Sequence, residues 1–220
     1  MNWIKDIWVR NPSGGKTGKQ EDKSPMLNGK DRILQELLPT VMVPAFGLLP
    51  GLNEETIRFL MAQSGLWLEA KPAWGHFRYP LWYSARPLPY GEIESLTSLI
   101  SGPISKEVIS LCREEATEKA ARQKEWAGWI LWSKASGYHY LPLEILEESQ
   151  TSVKYRRPKL LNQTHLVMDL HSHPFDLPQF SHTDDLDDLG GIHYSGVFSF
   201  DKTSRATLTT RLCIEGYYFK

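Results

Sequence analysis

The chain has 220 residues, 41% of them apolar, which is enough for one large core or two small ones. Lys plus Arg total 25 and Asp plus Glu total 26, so bulk charge is excluded as the basis for binding nucleic acid or an acidic membrane. The two cysteines, Cys112 and Cys213, lack CxxC spacing, which excludes a disulfide scaffold and a four-cysteine zinc ribbon and leaves free thiols in a reducing compartment.

Residues 1–10 place Trp3, Ile4, Ile7 and Trp8 at helical spacing. The stripe suits a short helix docked on its own domain, or a peptide for a partner or a membrane surface. Asp6 and Arg10 interrupt these apolar residues where a signal peptide would be continuous. No apolar run approaches the roughly 18 residues of a membrane span. The expectation is a soluble cytoplasmic protein. Residues 11–30 are rich in Gly, Pro, Ser and Lys and are read, with residues 1–10, as an N-terminal peptide and flexible linker. The GGKTGK within them fails the phosphate-loop spacing, because Ser13 stands where its first Gly is required and Gln20 follows Lys19.

Residues 31–91 are expected to form a small α+β unit. Asn53 is placed to cap a helix, with Glu54 and Glu55 in its first turn and Ile57, Leu60 and Met61 behind. Strands are expected at 66–74 and 76–85, and the RPLPYG stretch at 86–91 marks a boundary. Residues 92–220 are expected to form a mixed β-sheet flanked by helices, an α/β architecture. Its first helix is expected at 104–124, where Val108, Cys112, Ala116 and Ala120 recur every four residues. Strands are expected at 125–133, 138–146, 152–157 and 165–171, a short helix at 183–189, and two last strands at 192–201 and 206–216.

The chemistry lies in DLHSHPFDLPQFSHTDD, residues 169–185. Side chains alternate along a strand, so His171 and His173 point to one side of its end. Two imidazoles on one face suit zinc, and Asp184 supplies a carboxylate eleven residues after His173. A His2Asp set leaves one tetrahedral position open, the pattern of a catalytic site. Ser181 and Asp184 also have the spacing of a helix-capping pair, which fixes where Asp184 points. Asp169 shares the strand face of His171 and reads as a strand-edge carboxylate or a support behind the ligands. His182 and His193 read as solvated or satisfied histidines. Asp185, Asp187 and Asp188 read as a solvated helix face, and Trp129 as core.

The run His171-Ser172-His173-Pro174, followed by Ser181-His182-Thr183-Asp184, resembles the JAMM/MPN (JAB) zinc metalloprotease motif. That family adds an upstream glutamate on a strand after a helix, with a glycine close behind. Glu125-Trp126-Ala127-Gly128 after the 104–124 helix matches it. The resemblance implies a cytidine-deaminase-like fold for 92–220, with zinc held by His171, His173 and Asp184. Glu125 would serve as general base and then acid, and Ser181 as a hydrogen-bond donor to the developing oxyanion. Asp169-Leu170 departs from the Gly and aromatic residue that the family often carries there, at positions that are not ligands. Pro39–Pro50 with Gly65–Glu69 is similar to the protein A family of the ParB-related, ThiF-related bacterial cassettes. This second likeness implies a peptide or ubiquitin-like protein as substrate and an adenylating enzyme encoded nearby. Nucleic acid and membrane are not expected partners.

Other functions are weighed against this one. DLHSHP also opens phosphoesterase and amidohydrolase barrels, but only 47 residues follow His173, too few for a barrel of about 250. A non-catalytic binding module of the same fold and a zinc amidohydrolase acting on a small molecule remain as alternatives. Should Glu125 not be the base, Glu144, Glu147 and Glu148 are the next carboxylates to test.

Overall fold

The computed structural model describes residues 33 and 35–220. The expected N-terminal helix bearing Trp3 and Trp8 and the 11–30 linker lie outside the described residues. Contacts divide the chain into residues 1–37 and residues 38–220. The second unit carries two principal sheets and a small hairpin. Its fold is mixed α/β, and among the described residues no helix is long and apolar enough to cross a membrane.

The first sheet has five strands in sequential order: β1 (Thr40–Met42), β2 (Thr56–Ala62), β3 (Gly65–Lys71), β4 (Gly75–Tyr83) and β5 (Leu96–Leu99). The helix expected from Asn53 is instead β2. Its burial alternates at Arg58, Leu60 and Ala62, the period of a strand. The alternation was hidden because one of its inward positions is an arginine, neutralised by Glu69 on β3 at 2.6 Å. Glu55 adopts a φ of 57°, which stops any helix before β2 begins. Residues 86–91 lie against this sheet: Leu88 donates to the Gln63 carbonyl and Gly91 to that of Val43, both at 2.9 Å.

The second sheet runs β13-β12-β11-β10-β6-β7, with β6 (Ala127–Ser133), β7 (Gly137–Pro142), β10 (Thr164–His173), β11 (Ile192–Phe200), β12 (Ala206–Ile214) and β13 (Tyr217–Phe219). Only β10 and β11 pair in parallel here; the other neighbours are antiparallel. Strand β8 (Glu144–Glu148) forms a separate hairpin with β9 (Val153–Arg156). Helix α1 (Lys106–Ala121) is capped by Ser105, and Cys112, Ala116 and Ala120 form its buried stripe. The short helix α2 (His182–Asp187) follows β10. Both cysteines are free and buried.

Register separates the two faces of this second sheet. Met168, Leu170, Phe198 and Phe200 point toward α1 in one core. Leu212 and Ile214 join Leu68, Trp74 and Phe77 of the first sheet in another. Trp74 and Phe77 meet Tyr194 at ring-centroid distances of 5.9 and 6.0 Å, and Tyr79 stacks on Phe219 at 4.8 Å. The opposite face carries the alternate residues. Trp129, Asp169, Ser195 and Arg211 form one row across it, and His171 stands beside Ala127 and Val197 in the next row. One face is thus committed to packing and the other is free to hold polar groups.

Candidate metal centre

His171 and His173 occupy the end of β10 on the polar face, with ring centroids 5.1 Å apart. Asp184 enters from α2. One ligand atom of each of these three residues lies within 4.8 Å of the other two. The donor chemistry fits a cation. The buried Nε2 of His171 has no hydrogen-bond partner and lies 3.3 Å from Oδ1 of Asp184. His173 Nδ1 donates to the carbonyl of Leu177 at 2.8 Å, which leaves the lone pair on its Nε2. Burial holds the His173 pKa below the ordinary histidine value, which favours the neutral ring that a cation would need.

Asp184 is fixed by its own cap. Its Oδ2 accepts from the Ser181 N–H at 2.5 Å, while Ser181 Oγ accepts from the Asp184 N–H at 3.2 Å. The second bond leaves the Ser181 hydroxyl hydrogen free to donate elsewhere. Burial alone would raise the Asp184 pKa, but His171 and the Ser181 bonds outweigh it and hold the carboxyl well below its usual range.

Glu125 lies just ahead of β6, 6% exposed, and its N–H donates to the Ser149 carbonyl at 2.8 Å. Burial pushes its pKa up to about 7; His171 opposes the rise and Asp184 adds to it. Two bonds place this glutamate beside the histidines. The Trp126 N–H donates to Ser172 Oγ, and the Ser172 N–H donates to the Trp126 carbonyl, both at 2.9 Å. Ser172, fully buried between the two histidines, is part of the motif in sequence but takes no role there; the signal for one is a hydroxyl on the packing face of a buried strand. Gly128 is needed as well, because a Cβ there would stand 2.5 Å from the Trp126 ring and 2.7 Å from that of Tyr140.

These groups share one cavity of about 340 Å³, walled by Tyr155, Phe175 and Leu177 among others. Thus Glu125, Ser181, His171, His173 and Asp184 all line one pocket. Asp169 lies on its floor, accepts from the Tyr155 hydroxyl at 3.2 Å, and is pushed by burial up to about 6. Glu144, Glu147 and Glu148 are absent from the lining and pair with Arg156, Lys154, and Lys119 and Lys124, respectively. His182 is exposed. Trp129 is buried against Tyr155.

Asp188 departs from the solvated helix face expected for it. It is 4% exposed, its Oδ1 3.0 Å from His193 Nε2 and its Oδ2 2.7 Å from Arg211 Nη2. The signal for this was an arginine inside the otherwise apolar end of β12. Asp188, His193 and Cys213 also come within ligand distance of one another. Here both carboxylate oxygens are engaged and the guanidinium already supplies the positive charge, so a cation is opposed.

Residues 106–210 match the family described as prokaryotic homologs of the JAB domain. This segment is similar to the JAB domain. It contains Glu125, both histidines, Ser181 and Asp184. Residues 28–100, which include the first sheet, match a domain of unknown function, DUF2016. No curated protein matches the chain.

Proposed function

We propose that the chain is a zinc metallohydrolase of the JAMM type that cleaves a peptide or isopeptide bond, removing or processing a ubiquitin-like modifier in the cytoplasm. The observation that carries this reading is the convergence of His171, His173 and Asp184 with a protonatable glutamate, Glu125, in one pocket. His171 Nε2, His173 Nε2 and Asp184 Oδ1 would hold the ion. Bound zinc supplies Lewis acidity toward the scissile carbonyl and toward a water. Glu125, which burial makes readily protonated, takes the proton of the attacking water and passes it to the leaving nitrogen. Ser181 donates its free hydroxyl hydrogen to the oxygen that gains charge. The partner that follows from the cassette resemblance is an adenylating enzyme encoded nearby, which would activate the same modifier.

The test is direct. Chelator-stripped protein is titrated with zinc, then incubated with linear and isopeptide-linked ubiquitin-like substrates and read by intact mass. Stoichiometric zinc and a shortened C-terminal tail are expected, and His173→Ala should lose both, because a three-ligand site has no redundancy. Stoichiometric, tightly held zinc in His173→Ala would refute the ligand set. Intact substrates in every combination would leave a binding module in place of the enzyme.

A further inference from the structure

Asp184 rides on a helix that buries none of its own residues. Apolar packing therefore does not explain how α2 is held over the histidines. Arg211 does. Its guanidinium lies between the rings of Phe180 and Tyr218, 3.9 and 4.1 Å from their centroids. Nη1 donates to Asp185 Oδ1 at 2.5 Å, while Nε and Nη2 donate to Asp188 Oδ2 at 3.2 and 2.7 Å. The Tyr218 hydroxyl donates to the Asp185 carbonyl at 2.5 Å. The contacts therefore fall on residues 180, 185 and 188, on both sides of Ser181 and Asp184. They leave Asp184 Oδ1 facing His171.

We propose that Arg211 is a positioning residue for the third metal donor: it clamps residues 180–188 to the sheet and thereby sets the affinity of the site for its ion. The inference rests on the reading of His171, His173 and Asp184 as ligands. The planar fork and its flat faces do work that a lysine cannot copy, since an ammonium offers a single point of attachment and no surface to stack. Arg211 is 5% exposed on β12, two strands from β10, so it acts through the segment it holds and touches no reacting atom.

Arg211→Lys tests the clamp while keeping the charge beside Asp188. The double variant Asp185→Asn, Tyr218→Phe loosens the same segment without disturbing Asp188, in case the lysine variant does not fold. Amide exchange in metal-free protein should quicken at residues 181–188 and stay unchanged in β10 and β11. Zinc affinity, read by chelator competition, should fall about 10–100-fold with little change in Tm. Wild-type exchange at 181–188 together with wild-type zinc affinity in a folded variant would overturn the proposal. A fall in affinity matched by equal quickening throughout the sheet would overturn it too, by showing a general loss of structure. His173→Ala separates the two readings: it should lose zinc and keep slow exchange at 181–188. Faster exchange in the Arg211 variant of a chain that binds no zinc would leave the clamp standing and remove the metal site.

Discussion

Among the described residues two glutamates are buried, and their surroundings differ in kind. Glu69, in the first sheet, is fully buried and touches Arg58 and Arg78 at 2.6 Å and His76 at 3.0 Å. Burial by itself would raise its pKa, but the two arginines outweigh it and hold the carboxyl below its ordinary value. Glu125, at the pocket, is 6% exposed, and among the described residues no arginine or lysine pairs with it. Burial therefore prevails and the pKa climbs to about 7. A buried carboxylate whose charge is answered on several sides serves the fold. One left nearly unanswered, beside histidines whose free nitrogens face a cavity, is held ready to exchange a proton.

The comparison breaks most visibly at Glu69. Glu69→Gln leaves Arg58, whose side chain is 5% exposed, without its counter-charge. The expected cost is about 3–5 kcal/mol of stability, read by urea denaturation, with turnover per folded molecule unchanged. Glu125→Gln should do the reverse. Turnover should drop by roughly 100-fold or more, while zinc content is kept and stability does not fall, because no ion pair is lost. A large loss of stability in Glu125→Gln, or wild-type turnover, would erase the distinction between the two residues. Ser181→Ala comes next, losing about 2.7–4 kcal/mol of transition-state stabilisation if its hydroxyl meets the oxyanion, together with a smaller loss from the cap. Its readout is turnover at saturating zinc.

The sequence showed the polar face more clearly than the scaffold around it. Metal chemistry needs particular residue types at particular spacings, so His171, His173, Ser181 and Asp184 stood out within a short segment. Glu125 was reachable because a long amphipathic helix and a glycine frame it. The first sheet was harder to read. Arg58 occupies an inward position of β2, and a buried arginine looks in sequence like the polar side of a helix. Its partner Glu69 is eleven residues away on another strand, and only pairing reveals that the two charges cancel. Asp188 looks in sequence like a solvated helix residue for the same reason, since Arg211 is 23 residues distant. Long-range compensation of charge leaves no local periodicity. Local patterns therefore identified α1 and most strands of the second sheet but misassigned the buried ions.

The sharpest test is the pH dependence of stability, because the two glutamates should bend it in opposite directions. An unfolded glutamate titrates near 4.5. Folded Glu125 titrates near 7, so between these values the folded chain keeps a proton that the unfolded chain has released. The unfolded state then binds fewer protons, and stability falls as pH rises from about 4.5 to 7 before levelling off. Glu69 has a folded pKa below 4.5, so its contribution is present above that pH and is lost as pH falls through the folded value. Chelator-treated Glu125→Gln should therefore lack the decline on the way to neutrality, and Glu69→Gln should lack part of the acid-side loss. Bound zinc would supply the cation that Glu125 otherwise lacks and pull its pKa down, so adding zinc to the wild-type chain should flatten the decline toward that of Glu125→Gln. Parallel curves for wild type and Glu125→Gln without metal would mean that Glu125 is as well compensated as Glu69, and the case for it as the proton carrier would fall.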